Sequence, residues 1–379
     1  MHLDSKTSES ICFELFTHSI YGGHLMKHIV LTGGGTAGHV TPNIALIPGL
    51  KDMGYKISYI GSYNGIEKSL IEAEEIPYYG ISTGKLRRYI DPKNLSDPFR
   101  VVKGIFEARK LIKKISPDIV FSKGGFVAVP VVLAAKNCKV PVIIHESDMT
   151  PGLANKICIP YASKVCCNFP ETLSSLPEGK AVVTGTPIRK ELREGDAGRG
   201  YAFTGLSQDK PVILVMGGSL GSVNVNNHVR EALPELLKQY QVVHLCGRGN
   251  LDHSLDQTDG YRQYEYIKEE LPDLFAMADL IISRAGANAI CEISTLAIPN
   301  LLIPLSANAS RGDQILNARS FEKQGYSEVI EEENLTTQTL LAAVQKLHDN
   351  RDTYISAMKN SRHTDSIQMI LDLIREYTK

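Results

Sequence analysis

The sequence of 379 residues lacks an excess of charge of either sign. Its 41 basic and 42 acidic residues give a formal net charge of -1, a balance that disfavours broad nucleic-acid binding. It also lacks a long apolar run. The longest one, from Phe126 to Ala135, contains a proline and is shorter than the ~18–20 residues that cross a bilayer. We therefore expect any action at a membrane to take place from its surface.

Paired cysteines are also lacking. The seven cysteines are scattered and form no CxxC pair, which predicts reduced thiols in a cytosolic protein and not a disulfide framework.

The first 25 residues hold three of the eleven histidines but no secretion signal. Because Met26 is followed at once by a buried-strand pattern, we predict that 1–25 is a disordered tag or non-native extension.

From Met26 onward, short apolar runs alternate with helix-length segments. This alternation is typical of βαβ units, whose parallel strands are buried on both faces. The first half has predicted strands at 29–32, 57–60, 119–122, 142–145, 164–167 and 181–184, and a predicted helix at 127–135. The second half has predicted strands at 212–216, 241–245, 264–267, 280–283 and 300–304.

The two halves echo each other. LTGGGTAG (31–38) and VMGGSLGS (215–222) each follow the first strand of their half, and the charged, Gly-rich segment 189–204 is a predicted linker. We predict an α/β protein with two doubly wound parallel-sheet domains that face a central cleft lined by both Gly-rich turns. The predicted boundaries are 26–188, 189–360 and 361–379, the last a helix that packs back on the first domain.

The first turn formally matches the dinucleotide pattern GxGxxG. However, the second predicted strand ends Tyr59-Ile60-Gly61-Ser62, without the acid that such a site needs for a ribose. The dinucleotide interpretation is therefore dropped.

His39 follows the turn directly, where a histidine serves either to cap and pack the helix or as an acid–base group in the cleft.

Three polar residues of the second half occupy similar positions at predicted helix starts. Ser219 either caps its helix or binds a phosphate oxygen. Glu292 follows a run of small residues and either favours the helix dipole or accepts both hydroxyls of a ribose. Gln314 is either a solvated helix start or a partner of sugar hydroxyls.

Several motifs occur together in a fixed order: GGGTAGHVTP (33–42), HESD (145–148), GTPIR (185–189), GGSLGS (217–222), SRAGANAICE (283–292) and RGDQILNA (311–318). From Met26 to the C-terminus the chain thereby resembles the MurG family of peptidoglycan N-acetylglucosaminyltransferases. The resemblance implies a GT-B glycosyltransferase fold, with the acceptor on the N-terminal domain and UDP-GlcNAc on the C-terminal domain. The implied reaction moves GlcNAc from UDP-GlcNAc to the 4-hydroxyl of MurNAc in undecaprenyl-pyrophosphoryl-MurNAc-pentapeptide (lipid I), which makes lipid II for peptidoglycan.

The family pattern also implies a role for individual residues. His39 would be the catalytic base, and the donor would be approached by Thr36, Ala37, Gly38, Arg189 and Ser219, the last at its diphosphate. Ile267 would pack near the uracil. The GlcNAc and ribose would be surrounded by Ala287, Asn288, Ala289, Glu292 and Gln314. The motifs depart from their commonest form at Ala37, Ser147-Asp148, Leu220 and Gly312-Asp313, which indicates variation within the family.

No DxD triplet occurs, so we predict no metal and no other cofactor held by the protein; UDP-GlcNAc is a substrate. A lipid-linked acceptor implies a peripheral enzyme on the cytoplasmic face of the bacterial membrane, with other cell-wall synthesis proteins as partners. Basic and apolar residues at Lys85, Leu86, Arg87, Arg88, Tyr89 and Ile90 predict contact with anionic lipid within 84–99. Most of 101–115 is predicted instead to be an amphipathic helix that packs on the sheet.

Two other activities remain open from the sequence. One is a different GT-B transferase that uses a UDP-sugar and a lipid acceptor. The other is a UDP-GlcNAc epimerase, which would act without an acceptor and would need no membrane surface.

Overall fold

The computed structural model describes residues 26–84, 93–218, 221–308, 312–361 and 366–378. The predicted extension 1–25, the basic segment Lys85 to Ile90 and the predicted diphosphate contact Ser219 lie outside these described residues. Within the described chain, the strands form two separate sheets, and every pairing in both sheets is parallel. The predicted fold class is confirmed.

The first sheet has seven strands in the order β3-β2-β1-β4-β5-β6-β7. They are β1 His28–Thr32, β2 Lys56–Ser62, β3 Tyr78–Ile81, β4 Ile119–Ser122, β5 Val142–Glu146, β6 Lys164–Cys167 and β7 Ala181–Val183. The helices between them are α1 Thr41–Asp52, α2 Ile66–Glu72, α3 Lys93–Ile115, α4 Ala128–Asn137 and α5 Leu153–Cys158.

Both faces of this sheet are covered, as the apolar runs predict. Successive side chains of a strand point to opposite faces, so Ile29 and Leu31 enter one apolar cluster while Val30 enters the other. All three are fully buried. Continuous apolar strands are thus explained by helices on both sides.

The second sheet has six strands in the order β10-β9-β8-β11-β12-β13. They are β8 Val212–Met216, β9 Gln241–Leu245, β10 Tyr261–Tyr264, β11 Leu280–Ser283, β12 Asn300–Leu302 and β13 Ser327–Val329. Its helices are α6 Ala197–Thr204, α7 Val223–Gln239, α8 Leu271–Met277, α9 Ala287–Thr295, α10 Asp313–Lys323, α11 Thr337–Asp349 and α12 Arg351–Lys359. The 3₁₀ helices of the two halves are Ala37–His39, Ile159–Tyr161, Pro170–Ser175, Lys190–Arg193, His253–Leu255 and Glu332–Asn334.

The strand predictions failed only at sheet edges. The strand predicted at 264–267 is wrong, because β10 ends at Tyr264, and β3 and β13 were not predicted. All three are edge strands. Edge strands have one neighbour and tolerate polar residues and glycine, so they lack the continuous apolar run that marks a central strand. The segment 189–204 holds a 3₁₀ helix and α6.

The final helix, α13 Ser366–Tyr377, crosses back to the first sheet. Ile370, Leu371 and Ile374 are buried in the apolar cluster that contains Leu31. In addition, Lys27 Nζ donates to the carbonyl oxygen of Thr378 at 2.5 Å. Among the described helices, none combines the length and apolar character needed to cross a bilayer.

Candidate active site

The two sheets meet at loops that follow the carboxyl ends of their strands. The side chain of Asn288, at the start of α9, donates to the carbonyl oxygen of Gly38 at 2.8 Å. The loop after β5 reaches α10, where Thr150 Oγ1 lies 3.2 Å from Asp313 Oδ1 and Asn317 Nδ2 lies 3.3 Å from Asp148 Oδ1. Asp148 and Asp313, two of the motif departures, therefore both lie at contacts between the halves.

The Gly-rich turn at 33–38 packs against the Gly124-Gly125 turn, which the sequence did not single out. Gly125, after β4, has a φ of +79°, and a Cβ there would lie 2.3 Å from the carbonyl oxygen of Gly34. Likewise, a Cβ on Gly35 would lie 2.4 Å from the ring of Phe126. Only glycine permits this close approach of two backbones.

His39 ends the 3₁₀ helix that follows the first turn and is half-buried. Its Nδ1 lies 2.9 Å from the hydroxyl of Thr36. Its ring also lies beside the Gly124-Gly125 turn, because a Cβ on Gly125 would lie 3.4 Å from Cγ of His39. Thr36 and Ala37 are exposed, so this group of residues opens to solvent at the cleft.

Glu67 holds the first turn from behind and was missed by sequence reasoning. It is fully buried and accepts hydrogen bonds from the backbone N–H of Gly35 at 3.2 Å and of Ser62 at 3.0 Å. The hydroxyl of Ser62 also donates to it. A glutamate near the start of a short helix gives no sequence signal of such a role, because it is the usual solvated residue there.

An open cavity of about 450 Å³ lies at the carboxyl ends of β8 and β11. The N-terminus of α7 borders it, and Ser222 caps that helix by accepting from Val225 N at 3.4 Å. Small or polar residues line much of the cavity, including Gly217, Gly218, Gly221, Gly286, Ala289 and Gln314. A helix N-terminus beside a glycine-rich turn favours an anion, because backbone N–H groups point into the site.

An ion pair that the sequence did not reveal joins three turns around this cavity. Arg284 lies 2.6 Å from Glu332 Oε1 and 2.7 Å from the hydroxyl of Ser222. Glu332 also accepts from the backbone N–H of Ser306. Burial opposes ionisation of Glu332, but the Arg284 guanidinium and the other donors hold the pKa of its carboxyl below the usual value. The pair therefore fixes the shape of the cavity.

Glu292 lies on α9, within electrostatic range of Arg189. Burial raises the pKa of Glu292 to about 7, and the positive charge of Arg189 opposes that shift. Within the described residues, Arg189 Nε and Asn288 Oδ1 are buried without a hydrogen-bond partner. Such atoms are costly unless something bonds to them, so they fit a site that receives a polar ligand.

The other predicted contacts differ in how they can meet a ligand. The side chain of Ile267 is buried in an apolar cluster with Ile188 and Leu274, so only its backbone groups can bond to a base. Gln314 lines the cavity, and its Oε1 accepts from Leu305 N at 3.0 Å. Ala287 is buried. No group of three His, Cys, Asp or Glu side chains in the described chain is placed to hold a metal ion.

Helix α3 corrects one expectation. One face packs as predicted, with Ala108 and Ile112 buried. However, Phe99, Val102 and Phe106 are 78%, 52% and 66% exposed, so part of the helix that is predicted to pack on the sheet presents apolar side chains to solvent. Basic side chains are exposed on the same helix at Arg100, Lys103, Arg109 and Lys110.

Comparison with known proteins places both halves in one family. The glycosyltransferase family 28 N-terminal domain matches residues 29–167, and the glycosyltransferase family 28 C-terminal domain matches residues 212–371. The chain is similar to a solved MurG from Acinetobacter baumannii, with 28% identity, a TM-score of 0.71 and coverage of 92% of this chain and 99% of that one.

Two relatives carry the name UDP-N-acetylglucosamine--N-acetylmuramyl-(pentapeptide) pyrophosphoryl-undecaprenol N-acetylglucosamine transferase. The relative from Lachnospira eligens is 65% identical over 93% of this chain and 100% of its own length. The relative from Lachnoclostridium phytofermentans is 65% identical over 93% of this chain and 99% of its own length. This chain therefore belongs to the MurG family of N-acetylglucosaminyltransferases.

Proposed function

We propose that this chain transfers GlcNAc from UDP-GlcNAc to the 4-hydroxyl of MurNAc in lipid I, which makes lipid II. The observation that carries the proposal is the contact from Asn288 to Gly38. It sets the turn that ends at His39 beside a helix start whose neighbouring residue, Ala289, lines the cavity of about 450 Å³. The names of the two relatives specify this donor and this acceptor.

The two halves divide the substrates. The acceptor domain is 26–188 together with the returning segment 361–379, and the donor domain is 189–360. Attack by the MurNAc hydroxyl at the anomeric carbon displaces UDP and inverts the configuration from α to β. Each substrate thus needs one face of the cleft, and the reacting atoms meet between the faces.

His39 is the general base. In the tautomer with Nδ1–H donating to Thr36, Nε2 is the basic nitrogen and takes the proton of the attacking hydroxyl. Thr36 thereby orients the ring. Thr36, Ala37 and Gly38 also approach the donor from the acceptor side, and Asn288 fixes the carbonyl of Gly38.

The leaving diphosphate is stabilised by the turn that contains Ser219 and by the N-terminus of α7. Backbone N–H groups there are fixed before the reaction, so they stabilise the charge that develops on UDP without reorganisation. The Arg284–Glu332 ion pair supports this turn through Ser222. No step of this mechanism uses a metal.

The remaining donor contacts follow the cavity wall. The Glu292 carboxylate accepts from the two ribose hydroxyls, and Arg189 lies beside it. Backbone groups at Ile267 bond to the uracil. Gln314 contacts the hydroxyls of GlcNAc, and the small side chains of Ala287 and Ala289 leave room for the sugar.

The acceptor is reached at an anionic membrane surface on the cytoplasmic side. The support is the exposed apolar group Phe99, Val102 and Phe106 with lysines and arginines on the same helix, since such surfaces bind acidic lipid. Other cell-wall synthesis proteins are proposed as partners at this surface.

The test is release of UDP from UDP-GlcNAc with and without a lipid I analogue. Release that depends on the MurNAc acceptor is expected. A lipid glycosyltransferase of another kind would release UDP with a different acceptor, and an epimerase would convert UDP-GlcNAc without either.

A further inference from the structure

Lys123 is a buried lysine that none of the roles above uses. It follows β4 directly, and its side chain is 1% exposed. No other lysine in the described part of the chain has its side chain buried. Burying an ammonium group is costly unless hydrogen bonds compensate, so its contacts should reveal why it is there.

The first contact leads from Lys123 to the connection between the sheets. Lys123 Nζ lies 2.8 Å from Nδ1 of His145, whose Nε2 lies 2.8 Å from the carbonyl oxygen of Gly185. Burial and the charge of Lys123 lower the pKa of His145, so the ring is neutral. Because Nδ1 accepts from the ammonium, Nε2 carries the hydrogen and donates to Gly185.

A second set of contacts leads to the same segment. Lys123 also donates to the hydroxyl of Ser147. The backbone carbonyl oxygen of Ser147 in turn accepts from Asn168 Nδ2 at 2.8 Å. The Oδ1 of Asn168 accepts from the hydroxyl of Thr186 at 2.7 Å. Asn168 and Thr186 are both buried. Lys123 is therefore joined by two routes to consecutive residues, Gly185 and Thr186.

The segment so held runs directly into the donor site. Gly185 has a φ of +70°, and the chain continues without regular structure to Arg189. The positive charge of Arg189 opposes the rise that burial causes in the pKa of Glu292. Thr186 also lines one small cavity together with Cys291, the residue before Glu292. A displacement at 185–186 would therefore reach both charged groups.

We propose that Lys123 is a positioning residue for donor binding, which holds segment 185–189 so that Arg189 and Glu292 keep their places around the nucleotide sugar. This inference rests on the proposed function and deepens it. Lys123 does not touch the donor itself, because it is buried beneath the cleft. Burial lowers the pKa of the Lys123 ammonium to about 8, and nearby Glu146, Cys291, Asp148 and Cys166 oppose that shift.

The test compares Lys123→Met with Lys136→Met, a matched change at an exposed lysine on α4. We expect the KM for UDP-GlcNAc to rise about tenfold in Lys123→Met, the effect of losing one charge-assisted hydrogen bond, with kcat within about twofold. Lys136→Met should match the wild type. A Lys123→Met enzyme with unchanged KM, or with a loss confined to kcat or thermal stability, would overturn the proposal.

Ser147→Ala keeps the test decisive if Lys123→Met does not fold. It removes one hydroxyl from the same network, and we expect the KM for UDP-GlcNAc to rise about threefold. An unchanged KM in that variant contradicts the inference. Failure of the proposed function looks different, because the wild type itself would then release no UDP when lipid I analogue is added.

Discussion

The side-chain amide of Asn288 donates a hydrogen bond of 2.8 Å to the carbonyl oxygen of Gly38 and so joins the two halves across the cleft. Gly38 immediately precedes His39 in the 3₁₀ helix of the first turn, and Asn288 is the second residue of the helix that carries Glu292. One contact between the halves therefore sets the proposed base, His39, against the proposed donor contacts of the other half.

Replacement of Asn288 should show how much this contact contributes to turnover. Asn288→Ala loses the donor, and we expect kcat/KM to fall about tenfold. Asn288→Asp should be worse, because a carboxylate would face a carbonyl oxygen. Asn137→Ala, at the exposed end of α4, is the control. Equal kcat/KM in all three variants and the wild type would remove Asn288 from the mechanism.

Replacement of His39 tests the base. His39→Ala should lower kcat by about 10²–10³ because no group remains to take the proton of the attacking hydroxyl, while the KM for UDP-GlcNAc changes little. His253→Ala, which alters an exposed histidine paired with Asp256, should behave like the wild type. Turnover near the wild-type level in His39→Ala would exclude His39 as the base.

Donor binding should weaken at acid pH through Glu292. Its pKa is raised to about 7 by burial, so the carboxyl is neutral below that pH and loses its capacity to accept from both ribose hydroxyls. The KM for UDP-GlcNAc should therefore rise as the pH falls from 8 to 6. Glu292→Gln should have a high KM and should lose this rise at acid pH. A flat wild-type profile would contradict the assignment.

Glu67 should matter for stability as well as for activity. Glu67→Gln places an NH₂ group against one of the three donors that now bond to the carboxylate, and an unpaired buried donor costs about 1–3 kcal/mol. We expect the free energy of unfolding to fall by that amount, and kcat to fall because the first turn shifts. The control is Glu72→Gln, at an exposed residue of the same helix. Urea unfolding curves that coincide for all three proteins would refute this.

The exposed apolar group on α3 should determine membrane binding. We expect the triple variant Phe99/Val102/Phe106→Ser to lose co-sedimentation with vesicles that contain anionic lipid, and wild-type binding to weaken at high salt. The control is Tyr161/Leu173/Phe203→Ser, which changes side chains about 40% exposed elsewhere. Retained vesicle binding in the first variant would contradict the membrane assignment.

Much of the fold and part of the site could be predicted from the sequence. Central strands such as β1 and β8 are continuous apolar runs, and the Gly-rich turns follow them directly, so strands, turns and His39 were visible. The sequence does not reveal the roles of Glu67, Arg284 and Lys123, because each of them contacts residues that are distant in sequence. A glutamate in a short helix or a lysine after a strand shows nothing of its burial until the chain is folded.

The most direct test is identification of the product formed from UDP-GlcNAc and a lipid I analogue. Mass spectrometry and NMR should find one GlcNAc added to the 4-hydroxyl of MurNAc through a β linkage, with one UDP released for each transfer. A product in which GlcNAc is attached with α configuration, or isomerised UDP-sugar with no change in the acceptor, would contradict the proposed reaction.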